Sequence, residues 1–360
     1  MASEWGMRNV EILAGAHRYK VLIGARLLED IGPLVRQKFN EKRCAILADE
    51  QVAPLFGDAV LESLRRSSFH AELIVIPAGE ETKSMAQAAT LCEKLSTLGL
   101  DRSSFLLSLG GGVIGDLAGF VASIYLRGIP YVSIPTTLLA QIDSCIGGKT
   151  GVNSSAGKNS IGAFHHPALV LADTHTLRKL PDRIWHEGFA EGIKHGIIRD
   201  AELFDSLATV ERDHPEAFIE RNIAIKAAIV AEDERERTDV RSLLNFGHTV
   251  GHAIEYAAGY GNMLHGEAIS LGIVAAAQIS VQLAGLSLGE AKRIRAALEA
   301  HQLPVALPPD FPREKILAAL PRDKKFENGR VRFVVAHAIG RASVADNVTM
   351  EDLRKAVEEL

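Results

Sequence analysis

Five short apolar or β-branched runs, Tyr19–Ile23, Cys44–Ala48, Leu73–Ile76, Phe105–Leu109 and Tyr131–Ile134, alternate with stretches such as Met85–Leu98 whose apolar residues recur at helical spacing. Strand and helix in alternation predict a parallel sheet with helices on its faces. Such sheets bind ligands beyond the C-terminal ends of their strands. From about Pro181 the pattern changes, and long stretches rich in Ala, Leu, Ile and Glu, among them Ala268–Ala284 and Glu290–Ala300, predict helices. One strand, Val331–Ala336, is expected there, between the turn signals Asn328-Gly329 and Ile339-Gly340. A chain of 360 residues fits two domains. The expectation is an α/β, Rossmann-like nucleotide-binding domain over 1–180 and a mostly α-helical domain over 181–360.

The formal net charge of −5 argues against nucleic acid or a membrane surface as partner, because both demand a basic patch. Three cysteines, Cys44, Cys92 and Cys145, lack C-x-x-C spacing, so neither a disulfide framework nor a thiolate metal site is indicated, and a reducing cytoplasm fits. The first residues carry an acid and no apolar core of a leader, and no stretch is expected to be long and apolar enough to cross a bilayer.

Phe105–Leu109 runs into Gly110-Gly111-Gly112-Val113-Ile114-Gly115-Asp116 and then an apolar helical stretch, which meets the G-x-G-x-x-G pattern in its strand-turn-helix setting. Glycines there let backbone N–H groups approach a pyrophosphate at a helix N-terminus. No acid follows about twenty residues on, where ribose hydroxyls are usually held. Asp49 and Glu80, each after a strand, are the alternatives.

His248 and His252 stand at i and i+4 on one predicted helix face, with His265 a short loop further on. Glu191 offers a carboxylate from a separate helix, and Lys194 shares its face at i+3. Imidazoles and a carboxylate suit a divalent metal with open positions, although spacing does not settle which histidines bind. Arg127, Lys149, Lys158, Asn159, Lys226, Arg241 and Asn245 lie in apolar or glycine-rich surroundings. Cations so placed usually face an anion, so a substrate with two anionic groups is expected.

Gly110 to Asp116, Pro135-Thr136-Thr137-Leu138-Leu139-Ala140-Gln141 with Asp143, Gly147 to Asn153, Gly157-Lys158-Asn159 and Asn245 to His252 together resemble the 3-dehydroquinate synthase family of sugar phosphate cyclases, over nearly the whole chain. The resemblance implies a lyase of the shikimate pathway that turns 3-deoxy-D-arabino-heptulosonate 7-phosphate into 3-dehydroquinate and phosphate. NAD would oxidise a hydroxyl transiently, phosphate would be eliminated, and an aldol-type closure would follow. It further implies zinc or cobalt on Glu191, His248 and His265, with His252 near the substrate phosphate, and a helical domain that binds metal and substrate. Asp49, Glu80, Lys83, Gly111, Gly112, Val113, Asp116, Thr136 and Thr137 match cofactor positions, joined by Lys149 and Lys158. Asp143, Lys149, Asn159, Lys194, Lys226, Arg241, Asn245 and Lys325 match substrate or catalytic positions. Arg127 matches one donated across a homodimer interface. Thr176, Lys179 and Ile184 depart from the family's usual residues, and the first two fall where the family touches its cofactor. A related cyclase acting on sedoheptulose 7-phosphate or glucose 6-phosphate is the alternative; its substrate lacks the carboxylate that Arg241 and Asn245 would meet.

Overall fold

A computed structural model of the chain describes residues 7–40, 43–155, 157–259, 261–320, 326–327 and 330–360. Two compact units result, one of Met1–Leu180 with Glu211–Ala227, the other of Pro181–Val210 with Ala228–Leu360. The segment 211–227, which a division at 180/181 leaves with the second domain, is tied into the first unit by side chains: Thr174 donates to Glu216 at 2.7 Å, and Arg8 pairs with Glu220.

The first unit is built on β1 (Arg8–Ala14), β2 (His17–Gly24), β3 (Arg43–Asp49), β4 (His70–Ile76), β5 (Phe105–Gly110), β6 (Tyr131–Pro135) and β9 (Leu169–Asp173), with β7 (Lys149–Ser154) and β8 (Gly157–Phe164) as a separate hairpin. Sheet order is β1-β2-β9-β6-β5-β3-β4. Every pair from β2 to β4 is parallel, and β1 alone runs antiparallel, as the hairpin partner of β2. The central strand β5 is buried along its whole length, as a strand covered on both faces must be. On one face Phe105 stacks on Phe39 at 4.3 Å and meets Phe69 edge-on at 5.4 Å. Helices Met85–Thr97 and Gly112–Ile124 cover the other face through Leu91, Leu95, Leu117 and Val121. The sheet therefore delivers β3, β5 and β6 side by side, with Asp49, the glycine run and Thr136 at their C-terminal ends.

The second unit contains helices Phe189–Arg199, His248–Ala258, His265–Leu283 and Leu288–Ala300, and a sheet of β10 (Phe326–Glu327), β11 (Arg330–Ala338) and β12 (Arg341–Val348). The single strand expected over Val331–Ala336 is thus corrected to one member of an antiparallel sheet, since a strand's backbone groups need partners. The expectation of no membrane-length apolar stretch is corrected too: His265–Leu283 is long and apolar enough by composition. Most of it is buried inside the unit, so it reads as a core helix rather than a span.

His301 stacks on Phe189 with ring centroids 3.9 Å apart, and Phe189 meets Trp185 edge-on at 5.3 Å. Burial, reinforced by His186, pushes the His301 imidazole down to about 4. The unfolded chain takes up that proton near pH 6.5, so the stability gained by burying the neutral ring is fully present above that pH and is lost as pH falls toward 4. Thermal or urea unfolding of wild type and His301→Phe, which keeps the stack without a titrating group, should show a shallower loss between pH 7 and pH 5 in the variant. Identical pH dependence in the two proteins would refute the assignment.

Candidate active site

Helix Phe189–Arg199 is buried along nearly its whole length, and it carries Glu191 and Lys194 on one face. Helix His248–Ala258 opens with His248, and helix His265–Leu283 opens with His265. Glu191 Oε1 lies 3.4 Å from His248 Nε2 and 3.5 Å from His265 Nε2. Donor atoms bound tetrahedrally at about 2.1 Å stand about 3.4 Å apart, so this spacing is that of a metal's ligands. Glu191 Oε1 is fully buried with no hydrogen-bond partner, an orphan acceptor that a cation would satisfy. The other ring nitrogens are engaged: His248 Nδ1 is 3.2 Å from the Phe246 carbonyl, and His265 Nδ1 is 3.4 Å from the Glu255 carboxylate. Acceptors at both Nδ1 atoms hold a ring proton there, so each Nε2 would be free to serve as a ligand once a cation displaces its proton.

Burial alone would raise the Glu191 carboxyl; the charges of Lys194 and His248 outweigh it and hold the group well below the usual carboxylate range. Lys194 Nζ pairs directly with Glu191 Oε2. His265 is pushed up to about 9, because the neighbouring Glu191 and Glu255 carboxylates outweigh the opposing effect of burial. His252, one turn beyond His248, is exposed, with its ring 5.2 Å from that of His248 and 5.9 Å from that of His265. It also groups with Glu255 and His265, but those two already face each other. Helical spacing pairs His248 with His252, whereas the buried acid lies against His248 and His265.

Arg241 and Asn245 share this unit. Arg241 is 1% exposed, and its guanidinium donates to the Glu234 carbonyl. Asn245 Nδ2 donates to Glu236 Oε1 at 3.1 Å. Asp239, two residues before Arg241, pairs with Arg332. Lys325 lies outside the described residues.

In the first unit, β5 ends at Gly110 and helix Gly112–Ile124 begins after Gly111, with Val113 in its first turn. Lys83, 3% exposed, sits 2.6 Å from Asp116 Oδ2. Glu80 accepts from Asn153 Nδ2 at 2.8 Å and lies 3.5 Å from Lys158 Nζ. Asn159, at φ 52°, donates its backbone N–H to Asn153 Oδ1. Lys226 Nζ is 2.8 Å from the Asp143 carboxylate. Asp49 Oδ1 accepts the N–H groups of Gln51 and Val52, each at 2.9 Å, and so caps the turn after β3. Thr136 buries a hydroxyl with no hydrogen-bond partner, and Thr137 Oγ1 accepts from Ala140 N. Lys149 at the start of β7 and Arg127 in a left-handed turn are both exposed. Thr176 is buried and Lys179 exposed.

Sequence reasoning passed over Glu255, Asn153 and Asp233. Glu255 was readable, standing seven residues after His248 on the same helical face; Asn153 and Asp233 act through folds of the chain that no periodicity reports.

Residues 73–187 match the model of the 3-dehydroquinate synthase N-terminal family, and residues 188–326 match that of the C-terminal family. The 3-dehydroquinate synthase of Thermodesulfovibrio yellowstonii is 42% identical over 360 residues, covering 98% of this chain and 100% of the relative. A 2-deoxy-scyllo-inosose synthase complexed with carbaglucose-6-phosphate, NAD+ and Co2+ superposes with a TM-score of 0.90 at 25% identity, covering 98% of this chain and 100% of that one. ValA, the 2-epi-5-epi-valiolone synthase of Streptomyces hygroscopicus subsp. jinggangensis 5008, with NAD+ and Zn2+ bound, gives 0.87 at 30% identity, over 97% and 98% of the two chains.

Gly266, the second residue of the helix that His265 opens, has no room for a side chain: a Cβ there would stand 2.1 Å from the Glu187 carbonyl oxygen. Gly266→Ala must displace the start of that helix and His265 with it. The expected result is a loss of zinc affinity of about 10-fold or more in a chelator competition, while helix content by circular dichroism stays within a few per cent of wild type. Unchanged zinc affinity would show that His265 is not a ligand or that Glu187 yields freely.

Proposed function

We infer that this chain, which belongs to the 3-dehydroquinate synthase family, converts 3-deoxy-D-arabino-heptulosonate 7-phosphate to 3-dehydroquinate and phosphate. The observation that carries the reading is the buried Glu191 carboxylate with an imidazole Nε2 at 3.4 Å on one side and another at 3.5 Å on the other. Glu191, His248 and His265 would hold a divalent metal, zinc or cobalt, and the turn from Gly111 to Val113, with Asp49, Glu80, Lys83, Asp116, Thr136, Thr137, Lys149 and Lys158, would hold NAD. When bound, the metal supplies Lewis-acid polarisation of a hydroxyl and NAD a hydride acceptor that is restored within each turnover.

The chain's own residues do the rest. Lys194 keeps the Glu191 carboxylate ionised while buried. Arg241 offers a planar, permanently charged group suited to a substrate carboxylate, and Asn245 offers an amide from the following turn. His252, exposed one turn from His248, would meet a phosphate oxygen. Lys226 fixes the Asp143 carboxylate, and Lys149, Asn159 and Lys325 match further substrate positions of the family. The roles divide as a nucleotide-binding unit of 1–180 with 211–227 and a metal- and substrate-binding unit of 181–210 with 228–360. A homodimer in which Arg127 of a second copy completes the site, and a cytoplasmic location, belong to the same reading; three free cysteines support the latter.

Phosphate release from the heptulosonate phosphate in the presence of NAD should stop on chelation and return with zinc or cobalt; chelator-insensitive turnover would sink the reading. Release from sedoheptulose 7-phosphate but not from the heptulosonate would assign the chain to the related cyclases instead. Glu191→Ala should lower turnover by more than about 100-fold and lose bound metal. Full metal content with near-normal turnover would remove Glu191 from the ligand set.

A further inference from the structure

Asp233 follows helix Glu216–Glu232 and is 6% exposed, within a run, Glu232-Asp233-Glu234-Arg235-Glu236-Arg237, whose charges would ordinarily lie in solvent. Its carboxylate is spent on backbone and hydroxyl donors. Oδ1 accepts the Arg237 N–H at 2.8 Å. Oδ2 accepts the Thr238 N–H at 3.1 Å, the Thr238 hydroxyl at 2.9 Å and the Arg241 N–H at 3.3 Å. Burial alone would raise this carboxyl, but the Arg237 N–H and the Thr238 hydroxyl outweigh it and hold the group below its ordinary value.

The loop thus closed carries the groups that hold the anion-binding side chains. The Glu234 carbonyl accepts from the Arg241 guanidinium. Glu236, kept at φ 55°, accepts from Asn245 Nδ2. An ionised carboxylate is an acceptor only, so four donors converge on it without competition, and the loop's left-handed residue is held in place. Asp233 fixes Arg241 twice, through its backbone N–H and through the loop whose carbonyl takes its guanidinium.

We propose that Asp233 is a positioning residue for the substrate's anionic group, setting the guanidinium of Arg241 and the amide of Asn245 through the loop 233–241 without touching the substrate. The proposal rests on the reading of Arg241 and Asn245 as substrate contacts, and the test separates the two. In the zinc- and NAD-loaded enzyme, Asp233→Ala should raise KM for the heptulosonate phosphate by about 10-fold or more and change kcat much less. Zinc content and NAD affinity should stay within about 2-fold of wild type, which shows that the variant folds. Asp233→Asn, which keeps one acceptor oxygen, should fall between the two. Arg241→Ala should raise KM further, and adding Asp233→Ala to it should cost little more, because the group being positioned is gone.

If Arg241→Ala leaves KM unchanged, the substrate-contact reading fails. If Arg241→Ala raises KM while Asp233→Ala does not, or if the two effects multiply in the double variant, the positioning role alone is overturned. Should Asp233→Ala fail to fold, Asp233→Asn combined with Arg241→Ala carries the same comparison.

Discussion

Burying the Glu191 carboxylate is the constraint to which the second unit answers. An ionised acid taken out of water costs several kcal/mol unless charge and hydrogen-bonding partners surround it. Lys194 supplies the charge from one helical turn away, but it reaches only one oxygen. The other oxygen must be met from different helices, which forces the first residues of His248–Ala258 and His265–Leu283 to one point. That convergence needs backbones closer than ordinary side chains allow. At the crossing, a Cβ on Gly272 would stand 2.0 Å from the Gly247 carbonyl oxygen, and Gly247 itself has φ 80°, so both positions exclude other residues on separate grounds. The runs Asn245-Phe246-Gly247-His248 and Leu271-Gly272-Ile273 are packing requirements of the acid before they are anything else.

The first unit handles charge differently. Lys83 follows two acids, while Lys158 and Lys226 stand in glycine-rich or apolar sequence, a setting that alone suggests cations waiting for an anionic ligand. Each already has a carboxylate of the chain within reach, on Asp116, Glu80 and Asp143. This does not cancel the expectation. An ammonium is a point charge with three rotatable donors, so a phosphate or carboxylate can share the same cation with a carboxylate of the chain. The acids hold the lysines aimed and partly neutralised when no ligand is bound, which lowers the cost of keeping them out of bulk water.

Legibility followed range along the chain. The strands β2 to β6 and the glycine turn are local patterns, a few residues long, and periodicity reports them to within three residues at each end. β1 and β12 escape because three residues of each are polar and exposed, which breaks the apolar run that marks a strand. The choice of His265 over His252 beside Glu191 escapes spacing for a deeper reason. Spacing compares residues of one helix, while the acid is met by the ends of two, and only the family's motifs carried that information. The attachment of 211–227 to the first unit rests on Thr174–Glu216 and Arg8–Glu220, contacts more than forty residues apart in sequence.

Thr176 shows how a departure from a family's usual residue can be absorbed without touching chemistry. Its hydroxyl donates to the Asp173 carbonyl at 2.7 Å and accepts from Gln141 Nε2 at 3.3 Å. Gln141, fully buried, also donates to the Asp173 and Pro135 carbonyls, so the amide bridges the ends of β9 and β6. The Asp173 carboxylate then accepts the N–H groups of Arg26, Leu28 and His175. A threonine at this point feeds a hydrogen-bond knot that ties three strand ends together, whereas an apolar residue could only pack against it. Lys179, exposed three residues on, has no part in that knot. Of these two departures from the family's usual residues, Thr176 is accounted for by the fold, and Lys179 lies on the surface.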